Sequence, residues 1–187
     1  LDVAIKIASA LDTALKHKLL HRDIKPGNIL FNADNEPKLV DFGLVAKAEA
    51  GVDYSAQIWG TPYYIAPEKL RREPETFLAD MYSLAGTLYH AITGHTPFEA
   101  PEIDDVVLAH LNTPLTPPHK RVPSITGPTS DAIVHAMHKT PAKRYQSYDE
   151  FIMALTAARS QLLRSQLAPP SKPRRASPAA APSVLYR

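Results

Sequence analysis

Val3, Ile7, Leu11 and Leu15 recur every four residues, with Ala4, Ala8 and Ala14 beside them, and this spacing predicts an amphipathic helix over residues 1 to 19. Two short apolar runs follow, Ile29 to Phe31 and Lys38 to Val40. The turn-rich string NADNEP between them makes the pair a small hairpin rather than part of a large sheet. Further on, ADMYSLAGTLYHAITG is apolar around most of its circumference and stops at Gly94, the pattern of a buried helix. Helices are also predicted at 102 to 111, at 129 to 139 and from Tyr148 to Gln166. The last opens on SYDE, a capping box in which Ser147 and Glu150 satisfy each other's free backbone donors. A proline-rich loop separates the first two of these, at 112 to 128.

At 187 residues, with 44% apolar and 21% charged side chains, the chain can bury a real core, and it has neither the composition of a collagen nor that of a wholly disordered protein. The net charge of +2 conceals an asymmetry. Six of the 21 basic residues follow Glu150, the last acidic one, so residues 1 to 150 carry −4 and the remainder +6. There is no cysteine, which excludes disulfides and thiolate metal sites. No apolar run approaches the roughly 20 residues that cross a bilayer.

Three strings carry chemistry: HRDIKPGN at 21 to 28, DFG at 41 to 43 and GTPYYIAPE at 60 to 68. In this order and spacing they resemble the eukaryotic-type (Hanks-type) serine/threonine protein kinases, and the compact loops and Pro-rich basic tail look similar to bacterial members. The resemblance implies the mainly α C-terminal lobe of a protein kinase, with a small β-hairpin at the active site. It also implies transfer of the γ-phosphate of ATP to protein Ser/Thr hydroxyls, with magnesium as cofactor.

By that resemblance, Asp23 accepts or orients the acceptor proton and Lys25 reaches the transferring phosphate. Asn28 and Asp41 hold magnesium through oxygen ligands. Leu30 and Val40 form an apolar floor under the adenine ring. Lys25 and GTPYYIAPE both accompany serine/threonine specificity, with Thr61 bonded to Asp23 and Lys25. Phe42 packs to position Asp41, and Gly43 supplies backbone freedom. Glu68 and Arg144 are expected to form a buried ion pair, and Asp80 to bond the catalytic-loop backbone. Arg22 is the kind of arginine that pairs with a phosphate on the activation loop, where Tyr54 and Ser55 stand, and Ser55 is the expected activating autophosphorylation site.

VAIK at 3 to 6 matches the nucleotide-lysine motif of the same family, but Lys6 lies on the predicted helix, 15 positions before His21, with no glutamate between. It is expected to be a solvated surface residue. Gly27 is the first glycine and no G-x-G occurs, so the phosphate loop of the small lobe is not among these residues. The chain also opens inside a helical pattern. The expectation is therefore a large lobe over 1 to 163, with the small lobe missing, followed by a Pro/Ala-rich basic linker or tail over 164 to 187. Such a piece would be nearly inactive by itself.

A different function class stays open: a non-catalytic docking or scaffold lobe derived from a kinase. A small-molecule phosphotransferase shares the aspartate, asparagine and magnesium logic but leaves GTPYYIAPE and Arg144 unexplained. RRAS at 174 to 177 fits a substrate of arginine-directed kinases, and the tail could favour an anionic membrane surface. The expected partners are ATP and protein substrates, without nucleic acid, and with a membrane only through an unseen downstream segment. The expected location is the cytoplasm. His135 and His138 are three apart on one predicted helix but lack a third metal ligand.

Overall fold

The structure is a computed structural model that describes residues 1–41, 46–47 and 62–167. Phe42, Gly43, Tyr54, Ser55, Thr61 and the tail from 168 onward lie outside the described residues.

Helix α1 spans Asp2–Lys16 and ends where Lys18 takes a left-handed φ of 60°. It buries Ala4, Ile7, Ala8 and Leu11, while Val3 is exposed. A strict four-residue repeat drifts by about 40° per step on a helix of 3.6 residues per turn, which carries Val3 off the buried stripe. Lys6 is exposed and pairs with Glu36 at 3.4 Å.

Strand β1 (Leu19–Leu20) leads into the catalytic-loop string, which closes in a 3₁₀ turn at Pro26–Asn28. Strands β2 (Ile29–Phe31) and β3 (Pro37–Leu39) form the expected antiparallel hairpin, in the register Leu30 opposite Lys38. A second ladder, invisible in the pattern, pairs β1 with β4 (Ala46–Lys47). Two residues a side are too few to show any alternation.

Helix α2 (Pro67–Leu70) is one turn, and α3 (Phe77–Thr93) is the central helix. Thr76 caps its start by accepting the Leu78 N–H at 3.3 Å. Gly94 ends it at φ 75°, a conformation open to glycine without a Cβ penalty. Met81, Tyr82, Leu84, Ala85, Leu88 and Tyr89 are buried on several sides of α3, as its near-uniform hydropathy requires.

Helices α4 (Ile103–Asn112), α6 (Gly127–Ala136) and α7 (Tyr148–Leu167) complete the frame. Within the proline-rich stretch, Pro117 and Pro118 start a one-turn helix α5 (Pro118–Arg121), because proline fits the first helical turn. Helix α6 stops at Ala136, so His138 lies beyond it, where its Nδ1 accepts the Thr140 N–H at 3.0 Å. Helix α7 packs its buried face, Tyr148, Phe151, Leu155 and Ala158, against α1 and α6. Ser147 accepts the Glu150 N–H at 3.1 Å, but the Glu150 carboxylate takes the N–H of Gln146, at 2.8 Å, rather than that of Ser147. The result is a mainly helical, kinase-like large lobe built around α3, with a small hairpin on its surface.

Candidate active site

The loop from His21 to Asn28 cannot hold its own shape, because Arg22 sits at φ 69°, a region that costs a non-glycine residue about 1–3 kcal/mol. What holds it is α3. Asp80, in the first turn of that helix and buried, accepts the His21 N–H through Oδ2 and the Arg22 N–H through Oδ1, each at 2.7 Å. Burial pushes the Asp80 carboxyl above the ordinary carboxylate range, and the two N–H donors pull back against it.

His21 fixes the other side. One ring nitrogen, Nε2, lies 3.1 Å from the Val40 carbonyl, and the other, Nδ1, lies 3.3 Å from the Asp23 N–H. A carbonyl only accepts and a backbone N–H only donates, so these contacts assign the ring hydrogen to Nε2. The Val40 N–H in turn donates to the Asn28 carbonyl at 2.9 Å. Val40, the residue before Asp41, is thus tied to the loop through both its N–H and its carbonyl, which pairs Asn28 with the residue next to Asp41.

Asp23 Oδ2 accepts Lys25 Nζ at 2.7 Å and Asn28 Nδ2 at 3.0 Å, and Asn28 Nδ2 also donates to the Asp23 carbonyl at 2.8 Å. Asp23 Oδ1 has no hydrogen-bond partner among the described residues. Asn28 spends its amide hydrogens on Asp23, which leaves its carbonyl oxygen, the kind of atom a hard cation requires. Asp41 is exposed at φ 63°. The oxygen donors of Asn28 and Asp41 therefore suit magnesium. Among the described residues no group of three His, Cys, Asp or Glu could hold a metal ion by itself.

From the ladder register, Leu30 and Val40 share one face of the hairpin as diagonal neighbours. Leu30 is 53% exposed, large for an apolar strand residue.

The segment after residue 61 is bolted down in two places. Arg144 donates Nη1 and Nη2 to the two oxygens of Glu68 at 2.6 and 2.7 Å, with both side chains 3% exposed or less. It also donates to the carbonyls of Leu78 and His138, each at 2.8 Å. Tyr64 accepts the Ser83 hydroxyl on its carbonyl at 2.8 Å, and its own hydroxyl lies 2.6 Å from His90 Nδ1. Burial raises the Tyr64 phenol pKa.

Several positions escaped the sequence reading. His21 stood inside the motif, where its letter was the signal. Nothing in the spacing pointed to Lys69, which donates to the Arg22 carbonyl at 3.0 Å, or to its neighbour Glu75. The same holds for Lys139, which caps α4 by donating to the Ala109 and His110 carbonyls at 2.9 and 2.7 Å. Burial lowers the Lys139 ammonium to about 8, with Arg144 and Arg71 adding to the effect.

The protein kinase domain family matches residues 2–156. The chain belongs to the protein kinase family. It is 36% identical over 151 residues to serine/threonine-protein kinase PknD of Mycobacterium tuberculosis, covering 80% of this chain and 23% of that one. It is 35% identical over 159 residues to PknH of Mycobacterium bovis, covering 84% and 27%. A probable serine/threonine-protein kinase of Clostridium perfringens is 32% identical over 153 residues, 81% of this chain and 22% of the relative. The chain thus spans about a quarter of the length of these curated relatives.

Proposed function

We propose that this chain supplies the catalytic loop, the metal ligands and the acceptor platform of a protein kinase that phosphorylates serine and threonine. The observation that carries the reading is the Asp23–Lys25–Asn28 cluster, tied through the Asn28 carbonyl and the His21 ring to Val40, the residue before Asp41. Phosphoryl transfer leaves little covalent work to the protein, so positioning and charge neutralisation are what such a cluster must deliver.

In this reading the acceptor hydroxyl oxygen bonds to the γ-phosphorus of ATP as the bond to ADP breaks, and the hydroxyl proton passes to Asp23. Asp23 Oδ1 is the oxygen left for that proton. Lys25 adds a cation next to the same carboxylate. Asn28 and Asp41 would hold magnesium, which when bound neutralises charge on the nucleotide phosphates. The face carrying Leu30 and Val40 would lie under the adenine. Thr61 and Ser55 keep their expected roles as platform residue and phosphorylation site. The large lobe is taken to run from residue 1 to 163 and the basic linker from 164 to 187. The site faces the cytoplasm, where ATP is supplied.

The reading is tested by incubating the protein that carries this chain with magnesium and radiolabelled ATP, then hydrolysing the products to phosphoamino acids. Phosphoserine and phosphothreonine are expected, both lost in Asp41→Asn. Label in phosphotyrosine alone, or transfer that persists in Asp41→Asn, would contradict it.

A further inference from the structure

Arg22 is the residue immediately before the proposed proton acceptor, and its surroundings show a second function of the segment between α2 and α3. Glu75 comes from that segment. Its Oε2 lies 4.0 Å from Arg22 Nε and 3.9 Å from Lys69 Nζ, and the Arg22 and Glu75 side chains are only 10% and 8% exposed. A cation this far from water needs an anion close by, and a carboxylate this buried needs cations. Burial raises the Glu75 carboxyl pKa, while Lys69 and Arg22 both pull it down.

Lys69 completes the unit. The same Nζ that faces Glu75 donates to the Arg22 carbonyl, so Lys69 grips the main chain of Arg22 while Glu75 faces its guanidinium. Asp80 already clamps the N–H of Arg22. The residue beside Asp23 is therefore hydrogen-bonded at its N–H and its carbonyl, and its guanidinium has the Glu75 carboxylate 4.0 Å away as a charge partner without a hydrogen bond between them, all from groups in α2, α3 and the segment joining them. Arg22, Lys69 and Glu75 line one cavity with Asp23, Lys25 and Tyr64. A shift of this unit is thus felt directly at the reacting groups.

We propose that Glu75 is a built-in counterion for Arg22, a positioning residue that keeps the catalytic loop in working geometry when the segment after Asp41 carries no phosphate. This rests on the kinase reading above. It changes what is expected of Arg22: the negative charge that a loop phosphate would bring is already present as a fixed carboxylate. Basal transfer then does not require phosphorylation of Ser55 or of any neighbour.

The test uses the full protein that carries this chain, stripped of phosphate by a phosphatase and checked by intact mass. Initial rates are measured with magnesium, ATP and myelin basic protein as acceptor. The phosphate-free wild type is expected to keep at least half of its activity. Glu75→Gln, equal in size but uncharged, is expected to lose about tenfold to a hundredfold in kcat, the scale of a small misplacement, with the KM for ATP within about twofold. Glu75→Asp, which keeps the charge, should lie between them. Activity confined to the phosphorylated form, or a Glu75→Gln rate equal to wild type, overturns the proposal.

If no form transfers phosphate, it is the kinase reading that fails, and hydrogen exchange still decides the counterion. Amide exchange at His21 to Asp23 should rise at least about tenfold in Glu75→Gln. Unchanged exchange there overturns the proposal.

Discussion

Asp80→Asn replaces a carboxylate with a side chain of the same shape, and the structure says why that small change is expensive. Asp80 presents two acceptor oxygens to two backbone donors, the N–H groups of His21 and Arg22, each at 2.7 Å. Asparagine has one acceptor and one NH₂ group, so whichever way it turns, a donor meets a donor. One charge-assisted hydrogen bond, about 1.5–3 kcal/mol, is lost, and one buried N–H is left unsatisfied at about 1–3 kcal/mol. Allowing for the retained bond becoming neutral, the native geometry is destabilised by about 3–5 kcal/mol.

The loop has a way out, because letting go also releases the strain at Arg22, about 1–3 kcal/mol. The cost should therefore divide between a global loss of about 2–3 kcal/mol and local opening of the loop. Urea denaturation reads the first, and amide exchange at His21 to Asp23 the second. Phosphotransfer by the protein carrying the chain should fall at least a hundredfold, since the loop no longer presents Asp23. A stability within 1 kcal/mol of wild type, together with unchanged exchange at those amides, would refute the clamp.

Other substitutions follow the same geometry. Arg144→Ala strands the buried Glu68 carboxylate and two carbonyls and should cost at least about 3–5 kcal/mol in urea denaturation; a loss under 1 kcal/mol would show that the pair is not buried. His110 is held well below its usual range, at about 3, by burial and then by the nearby Lys139. Its folded value is depressed, so its contribution is full above pH 6.5 and is lost as pH falls from there toward 3, at about 1.4 kcal/mol per unit. Stability between pH 6 and 4 should fall more steeply in wild type than in His110→Phe, and parallel curves would rule this out. Lys6→Ala should leave the thermal midpoint and any ATP affinity unchanged, because Lys6 is an exposed helix residue beside Glu36; weakened ATP binding would reopen its motif.

What could be read from the sequence was chemistry carried by contiguous letters and periodicity carried by long elements. HRDIKPGN and DFG needed no fold to be seen, and α3 announced its burial by being apolar on most sides. The pairing of Asn28 with Val40, one residue before Asp41, also followed once the hairpin was recognised. What stayed hidden depends on how distant segments meet. Glu75 looks like any loop glutamate until α2 and α3 carry it beside Arg22. Lys139 gives no hint that it caps a helix some 30 residues earlier. Short elements hid for a different reason: β1 and β4 have two residues each, and α5 is a single turn in a stretch whose prolines suggested only loop. Val3 shows the limit of a four-residue stripe, which departs from the helix it was used to find.

The most direct test of the central claim is the initial rate of magnesium-dependent phosphate transfer from ATP to a protein acceptor, comparing the full protein with its Asp23→Asn variant. The variant keeps the shape of the Asp23 side chain and removes its charge. A fall of about 10² to 10⁴ in kcat, with the KM for ATP little changed, is the result expected of a positioned proton acceptor. Equal rates in the two proteins, or no transfer by either, would contradict the assignment of this loop as the catalytic centre.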